Sequence, residues 1–307
     1  MDRSDDIDIS LTEIAAAVNR IDPAFLGTPQ AVSDALSGTF GREIIVKNET
    51  GTPIGSFKGR GTWLLANELD PRRTWVCSTA GNFGQGLAYA ARTHGAHVHA
   101  FVSPDVPAGK RAGMRTLGAT VELVERPDAS ARAFAADRDD RLLVLDGRHP
   151  AMAIGAGTIG LELSADGPFD LAVVQIGDGA LITGVATALR AANPQIRIVG
   201  VCASGAPAIA HSFAARRVVT TPGTDTIATA LAITDPVPES FARVVAVVDE
   251  IVLADDDALR SAQQVIDEHL GVAVEPAGAA GLAALAVHGS TLPPGRTVVI
   301  LTGAAQP

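Results

Sequence analysis

RTWVCSTAGNFGQGLAYAARTHGAHVHAFVS, residues 73–103, is the stretch that decides the fold. Residues 73–80 are an apolar, β-branched run that ends in Ser, Thr and Ala, which reads as a strand entering a loop. Residues 82–95 carry Ala, Leu and Gln at helical spacing and stop at Gly95, the residue type that closes helices in a left-handed turn. Residues 96–103 return to a strand pattern. Strand, small-residue loop, helix, strand is a βαβ unit, and such units build parallel sheets with ligand sites at the carboxyl ends of their strands.

The same alternation runs outward in both directions. Residues 42–49, 119–124, 141–146, 170–177, 196–203 and 296–303 read as further strands, and 59–69 and 181–194 as helices that follow glycine-containing loops. The expected class is therefore α/β, with open, mostly parallel twisted sheets flanked by helices. No repeat, low-complexity tract or Pro/Gly linker interrupts it.

Composition narrows the function classes. The 307 residues are 47% hydrophobic with 31 glycines, as in a compact globular chain. A formal charge of −10 and only 4% aromatic residues argue against nucleic acid and anionic membranes as partners. The acidic start MDRSDDIDIS lacks a signal-peptide pattern, and no apolar run reaches the ~18 residues of a membrane span. Cys77 and Cys202 are too few for a disulfide framework and lack metal-ligand spacing. A cytoplasmic protein is expected.

Three strand–loop–helix junctions carry the chemistry. Of the 24 Lys and Arg, only residues 47, 58 and 110 are Lys, and Lys58 sits in GTPIGSFKGRG, residues 51–61. A cation at a helix N-terminus is electrostatically disfavoured, so stability alone does not choose it. A lysine amine, unlike a guanidinium, can lose its proton and form a Schiff base. The second junction, STAGNFGQG at 78–86, places hydroxyls and free N–H groups at a helix start, a nest suited to a carboxylate or phosphate. The third, QIGDGALITG at 175–184, could cradle a phosphate, yet it matches neither the P-loop lysine pattern nor the dinucleotide fingerprint.

A reactive amine, a carboxylate nest and a phosphate nest are what pyridoxal phosphate chemistry on an amino acid needs. On these residues the chain resembles the fold-type II pyridoxal-phosphate enzymes of the threonine dehydratase and serine racemase group. The motifs, in the family's order, are KNETGTPIGSFKGRG (47–61), STAGNFGQGLAYAA (78–91) and VSPDVPAGKRAGMRTLGATVELV (102–124), then IGAGTIGLEL (154–163), GDGAL (177–181), TIATALAI (226–233) and VEPAGAAGLAAL (274–285). The likeness runs from about Gly27-Thr28-Pro29 onward. It implies two domains: a large cofactor-binding one from residues 1–71 and 148–307, and a small mobile one, 72–147, that carries the substrate-carboxylate loop.

The resemblance also implies roles. Lys58 would carry the cofactor and take the substrate's Cα proton, with Ser56 beside the reacting centre. Asn82 would bond the ring hydroxyl; Ser78, Thr79, Ala80, Gly81 and Asn82 would line the substrate-carboxylate site. Gly177, Asp178, Gly179, Ala180 and Leu181 would hold the phosphate, and Thr302 would face the ring nitrogen. A neutral hydroxyl there leaves the ring a weak electron sink, which suits elimination. The expected reaction is α,β-elimination from L-threonine, L-serine or a relative, giving a 2-oxo acid and ammonia. A homodimer is expected because family members commonly form one. A β-replacement synthase of the cysteine synthase kind, a specialised biosynthetic enzyme and a non-catalytic cofactor-binding protein are the alternatives.

The chain also departs from the family pattern. Ala80 stands where racemising members have a serine, so racemisation falls behind elimination. Asp178 interrupts a glycine run, and a carboxylate beside a phosphate is repulsive; it is expected to face solvent or to contact something peculiar to this enzyme. Cys202 and Ala208 replace the carboxylates of metal-binding members, so no divalent cation is expected, and Cys202 reads as a small buried filler. TIATALAI lacks that loop's usual acidic residue and glycine. The chain stops at Pro307, so no regulatory domain is expected. His97 and His99 read as one face of a half-exposed strand, and Asp255-Asp256-Asp257 as a turn or helix cap.

Overall fold

The computed structural model describes residues 8–306; the acidic residues 1–7 and Pro307 lie outside it. Two sheets organise the chain. The first has six strands in the order β1 (Gln30–Val32), β2 (Ile44–Asn48), β10 (Thr297–Leu301), β7 (Leu171–Gln175), β8 (Arg197–Ala203) and β9 (Glu250–Ala254). The second has four, in the order β5 (Thr120–Leu123), β4 (His97–Val102), β3 (Thr74–Ser78) and β6 (Arg141–Leu143). Every pairing is parallel except the antiparallel β1–β2 edge.

Strands β7 (LAVVQ) and β10 (TVVIL) are buried along their whole length. A parallel strand covered by helices on both faces has no wet side, which is why these segments read as unbroken apolar runs rather than alternating ones. In contrast, His97 is exposed and His99 partly exposed on β4, where they meet Thr120 and Glu122 across the strand pair. Asp255 caps the Asp256–Leu270 helix by accepting from the Ala258 N–H at 2.8 Å.

Glycines set how closely the central helices approach. A Cβ on Gly155 would lie 2.6 Å from Gly61 N, and one on Gly184 would lie 2.0 Å from Ala153 O. The Pro150–Ser164 helix therefore packs backbone to backbone against both the Lys58–Ala66 and Ala180–Ala192 helices. That contact fixes the two helix starts next to which Lys58 and Asp178 lie.

Beneath them lies a buried charge network. Arg60 donates to Glu49 Oε2 at 3.0 Å and to Glu162 Oε1 at 2.6 Å, and Lys47 Nζ donates to Glu162 Oε2 at 2.6 Å. Arg60, Glu49 and Lys47 have no exposed surface. Two cations meet two carboxylates, so the cluster balances its charge.

Candidate active site

Lys58 is the first residue of the Lys58–Ala66 helix. Its Nζ lies 2.8 and 2.7 Å from the two oxygens of Asp146 and 2.5 Å from Asp178 Oδ2. Asp146 follows β6 and Asp178 follows β7, so carboxyl ends of strands from the two different sheets converge on one amine. Gly147 permits this convergence: its φ is +75°, and a Cβ there would lie 2.8 Å from Asp178 Cβ. The Pro238–Val247 helix fixes both loops, Ser240 Oγ donating to Asp178 O and Arg243 to Gly147 O at 3.1 Å.

One cation between two carboxylates leaves an excess negative charge, and the pair divides it unevenly. Burial works against the charge of Asp178, but the Lys58 ammonium outweighs it and holds the group at about 2. Burial, reinforced by the Asp178 charge, pushes Asp146 up to about 8. Burial also opposes the ammonium of Lys58, yet the two carboxylates outweigh it and raise its pKa. Of the two carboxyls, Asp146 is thus held above its ordinary range and Asp178 below it, while the Lys58 ammonium is stabilised between them.

Asp178 does not face solvent. Its charge is met by the Lys58 ammonium. Asp178 Oδ1 also accepts from the Ala180 N–H at 2.7 Å, so that amide of the 177–181 loop is already paired. The N–H groups of Gly177, Asp178, Gly179 and Leu181 make no hydrogen bond among the described residues.

Ser56 holds the approach to Lys58. Its N–H donates to Thr52 Oγ1 at 2.8 Å, its carbonyl accepts from the same hydroxyl at 2.9 Å, and its own Oγ accepts from Lys58 N at 3.4 Å. In the 78–82 loop, Thr79 Oγ1 accepts from Gly81 N at 2.9 Å and Gly84 N at 3.1 Å. The nest is therefore narrower than the sequence suggested. Among the described residues, the N–H groups of Ala80, Asn82 and Phe83 are the ones left to an incoming carboxylate. Ser78 directs its hydroxyl to Asp128 at 3.5 Å.

Asn82 Nδ2 donates to Glu275 Oε1 at 2.7 Å, and Glu275 also takes the Lys110 ammonium. All three side chains are buried. This set joins residues that flank the four-stranded sheet to the VEPAGAAG segment beside β10. Thr302, 3% exposed, follows β10, and its Oγ1 accepts from Gln175 Nε2 at 3.0 Å. Cys202 is buried, and burial pushes its thiol up to about 12, as suits a core filler.

Sequence reasoning singled out Lys58 and Asp178 but missed Asp146, Glu275, Lys110 and Gln175. A signal for Lys110 was present. Lys47 and Lys110 are the only other lysines, and both are buried and paired, so the rarity that picked out Lys58 applied to all three.

These residues fit pyridoxal phosphate. The Lys58 amine stands beside a glycine-rich loop with unpaired amides, and the Thr302 hydroxyl, its oxygen already accepting from Gln175, has no acceptor for its own proton among the described residues. Such a donor suits an unprotonated pyridine nitrogen.

Comparison with known proteins agrees. The profile of the family described as pyridoxal-phosphate dependent enzyme matches residues 21–303. An L-threonine ammonia-lyase of Geobacter sulfurreducens is 34% identical over 301 residues, covering 95% of this chain and 74% of that protein. A serine racemase of Oryza sativa subsp. indica is 33% identical over 285 residues, covering 88% and 82%. Among solved structures, maize serine racemase superposes with a TM-score of 0.87 at 29% identity, covering 96% of this chain and 93% of that one. The chain belongs to the pyridoxal-phosphate dependent enzymes, with the two-sheet architecture of fold type II. Within them it falls in the threonine dehydratase and serine racemase group.

Proposed function

We propose that the chain is a lyase that eliminates water from a β-hydroxy amino acid such as L-threonine or L-serine, releasing a 2-oxo acid and ammonia. The observation that carries this reading is the Lys58 amine at the meeting point of the 177–181 loop and residue 146, in a chain of this family. Bound pyridoxal phosphate supplies an electron sink that acidifies the substrate's Cα–H.

The chain's own residues would do the rest. Lys58 would take the Cα proton while the Cβ–O bond breaks. The departing hydroxyl gains a proton, in net the one lost from Cα, and leaves as water. Hydrolysis of the released enamine gives the 2-oxo acid and ammonia. Ser56 fixes the backbone of Lys58. The N–H groups of Ala80, Asn82 and Phe83, set by Thr79 and the Gly81 turn, hold the substrate carboxylate, with Ser78 at the loop's entrance. Asn82 faces the ring hydroxyl and Thr302 the ring nitrogen. Gly177, Asp178, Gly179 and Leu181 offer amides to the phosphate, with Ala180 already paired. Asp146 and Asp178 hold the Lys58 amine at the meeting point of the two loops. Ala80 offers no acid on the opposite face, which favours elimination over racemisation.

We further propose that the two sheets centre two domains, 1–71 with 148–307 and 72–147, that close over substrate. The working unit would be a homodimer in the cytoplasm, a reading supported by the family's habit and by two buried free cysteines. Neither the sites of nucleic-acid contact nor a membrane partner is part of this reading, and no helix among the described residues is long and apolar enough to cross a membrane.

The test is to load purified enzyme with pyridoxal phosphate, add L-threonine and L-serine separately, and assay 2-oxo acid. Release from either substrate, lost in Lys58→Ala, supports the reading. Release undiminished in Lys58→Ala, or none from either substrate, overturns it.

A further inference from the structure

Gln175 ends β7, immediately before the loop assigned to the cofactor phosphate, and is 3% exposed. Its Nε2 lies 3.1 Å from Ala277 O, 3.0 Å from Ile300 O and 3.0 Å from Thr302 Oγ1. Two main-chain carbonyls fix the amide's orientation, because turning it over would set its oxygen against both of them. Its Oε1 is left buried without a partner.

This arrangement decides what Thr302 can do. An amide nitrogen accepts no hydrogen bond, so the lone pair of Thr302 Oγ1 must face Gln175 and the hydroxyl proton must point elsewhere. Thr302 is itself 3% exposed, and no described residue accepts that proton. A buried hydroxyl with its oxygen occupied and its proton free is a donor in search of an acceptor. The main chain places it beside Lys58: Thr302 O accepts from Phe57 N at 3.1 Å, and Ser56 bridges to Gly303.

We infer that Gln175 is a positioning residue that fixes the Thr302 hydroxyl as a proton donor to the cofactor's ring nitrogen and so keeps that nitrogen unprotonated. The inference rests on the placement of Thr302 in the function proposed above. A serine or threonine alone could rotate, donating to a bare nitrogen or accepting from a protonated one. Gln175 disfavours the second option: with one lone pair of Oγ1 already taken, accepting from a ring N–H as well would leave the hydroxyl proton buried without an acceptor. Ring protonation is then set from a residue that does not touch the cofactor.

The test uses holoenzyme loaded with pyridoxal phosphate labelled with 15N in the ring, followed by NMR between pH 6 and pH 9. Wild type is expected to show an unprotonated nitrogen across the range. Gln175→Met keeps the side chain's length and removes its donors, so Thr302 can turn. The ring nitrogen should then begin to protonate as pH falls, its proton affinity at least tenfold higher, a rise of about one unit in apparent pKa. Gln175→Asn, one methylene shorter, keeps an amide out of reach of Thr302 and should titrate like Gln175→Met. A protonated nitrogen in wild type at neutral pH overturns the inference, even if neither variant folds. So does a Gln175→Met titration that superposes on wild type. A 2-oxo acid assay on the same samples keeps the two readings apart. An unprotonated ring with no 2-oxo acid released sinks the lyase reading alone. Release of 2-oxo acid from a protonated ring sinks the role of Gln175 alone.

Discussion

Replacing Asp146 with Asn in the cofactor-free enzyme should remove a specific pH dependence of stability. Asp146 is ordinarily a group of pKa 3.8, and the fold pushes it up to about 8. A group raised on folding contributes stability that is fully present below its unfolded pKa and is lost as pH rises through the folded one. Wild type should therefore weaken between about pH 4 and pH 8, while Asp146→Asn, which cannot ionise, should not. Each pH unit inside the window corresponds to about 1.4 kcal/mol at a single site, so moving from pH 5 to pH 8 sets a ceiling of about 4 kcal/mol. The Asp146 side chain is 28% exposed, and solvent screens it, so about 2 kcal/mol is the working figure. At ~2–3 °C per kcal/mol for a chain of this size, the variant's melting temperature should gain ~4–6 °C on wild type between pH 5 and pH 8. Thermal unfolding of both cofactor-free proteins at half-unit pH steps measures this directly, since other titrating groups cancel in the difference. Two parallel curves, offset or not, would refute the charge distribution assigned to Lys58, Asp146 and Asp178.

Other perturbations probe the surrounding frame. Arg60→Met leaves Glu49 buried without its guanidinium and should cost about 3–5 kcal/mol, read as a lower urea midpoint with an unchanged slope. Glu275→Gln strands the Lys110 ammonium between the two halves of the site and should destabilise by a similar amount. Lys110→Met combined with Glu275→Gln should recover much of that loss in a double-mutant cycle. Gly147→Ala forces a side chain into a φ of +75° with its Cβ 2.8 Å from Asp178 Cβ. It should cost about 1–3 kcal/mol and lower cofactor affinity, measured by equilibrium titration of the visible band.

How much of this could be read from residues alone depended on what each signal measures. Strands β7 and β10 were legible because burial on both faces demands unbroken apolar runs. Strand β1, three residues of an edge with two of them exposed, has no such demand and was invisible. The Pro150–Ser164 helix was legible as a motif but not as a helix. Its glycines at 155, 157 and 160 lower intrinsic propensity; 155 and 160 make room for neighbouring helix backbones and 157 for the Ile14 side chain, a tertiary requirement. At the site, Lys58 stood out as a lysine in an arginine-using chain. Asp178 stood out as a carboxylate in a phosphate loop, but its direction depended on Asp146 and Gly147, which approach from the other sheet. Asp146 itself lies 88 residues from Lys58 and belongs to no motif. Its role exists only once the loops after β6 and β7, from different sheets, converge on the start of the Lys58 helix.

Scarcity of lysine has a consequence for reagents that seek amines. Lys47 has no exposed surface and Lys110 has 2%, each closed off by a glutamate, while the side chain of Lys58 keeps 12% of its surface open. An aldehyde diffusing over this surface finds carboxylates and guanidinium groups, which form no stable imine, and among the lysines it finds one that it can reach. Selectivity for a carbonyl compound is thus written partly outside the active site, in what the rest of the surface withholds. Arginine supplies the solvent-facing positive charge, and lysine is kept for the interior and for the candidate active site.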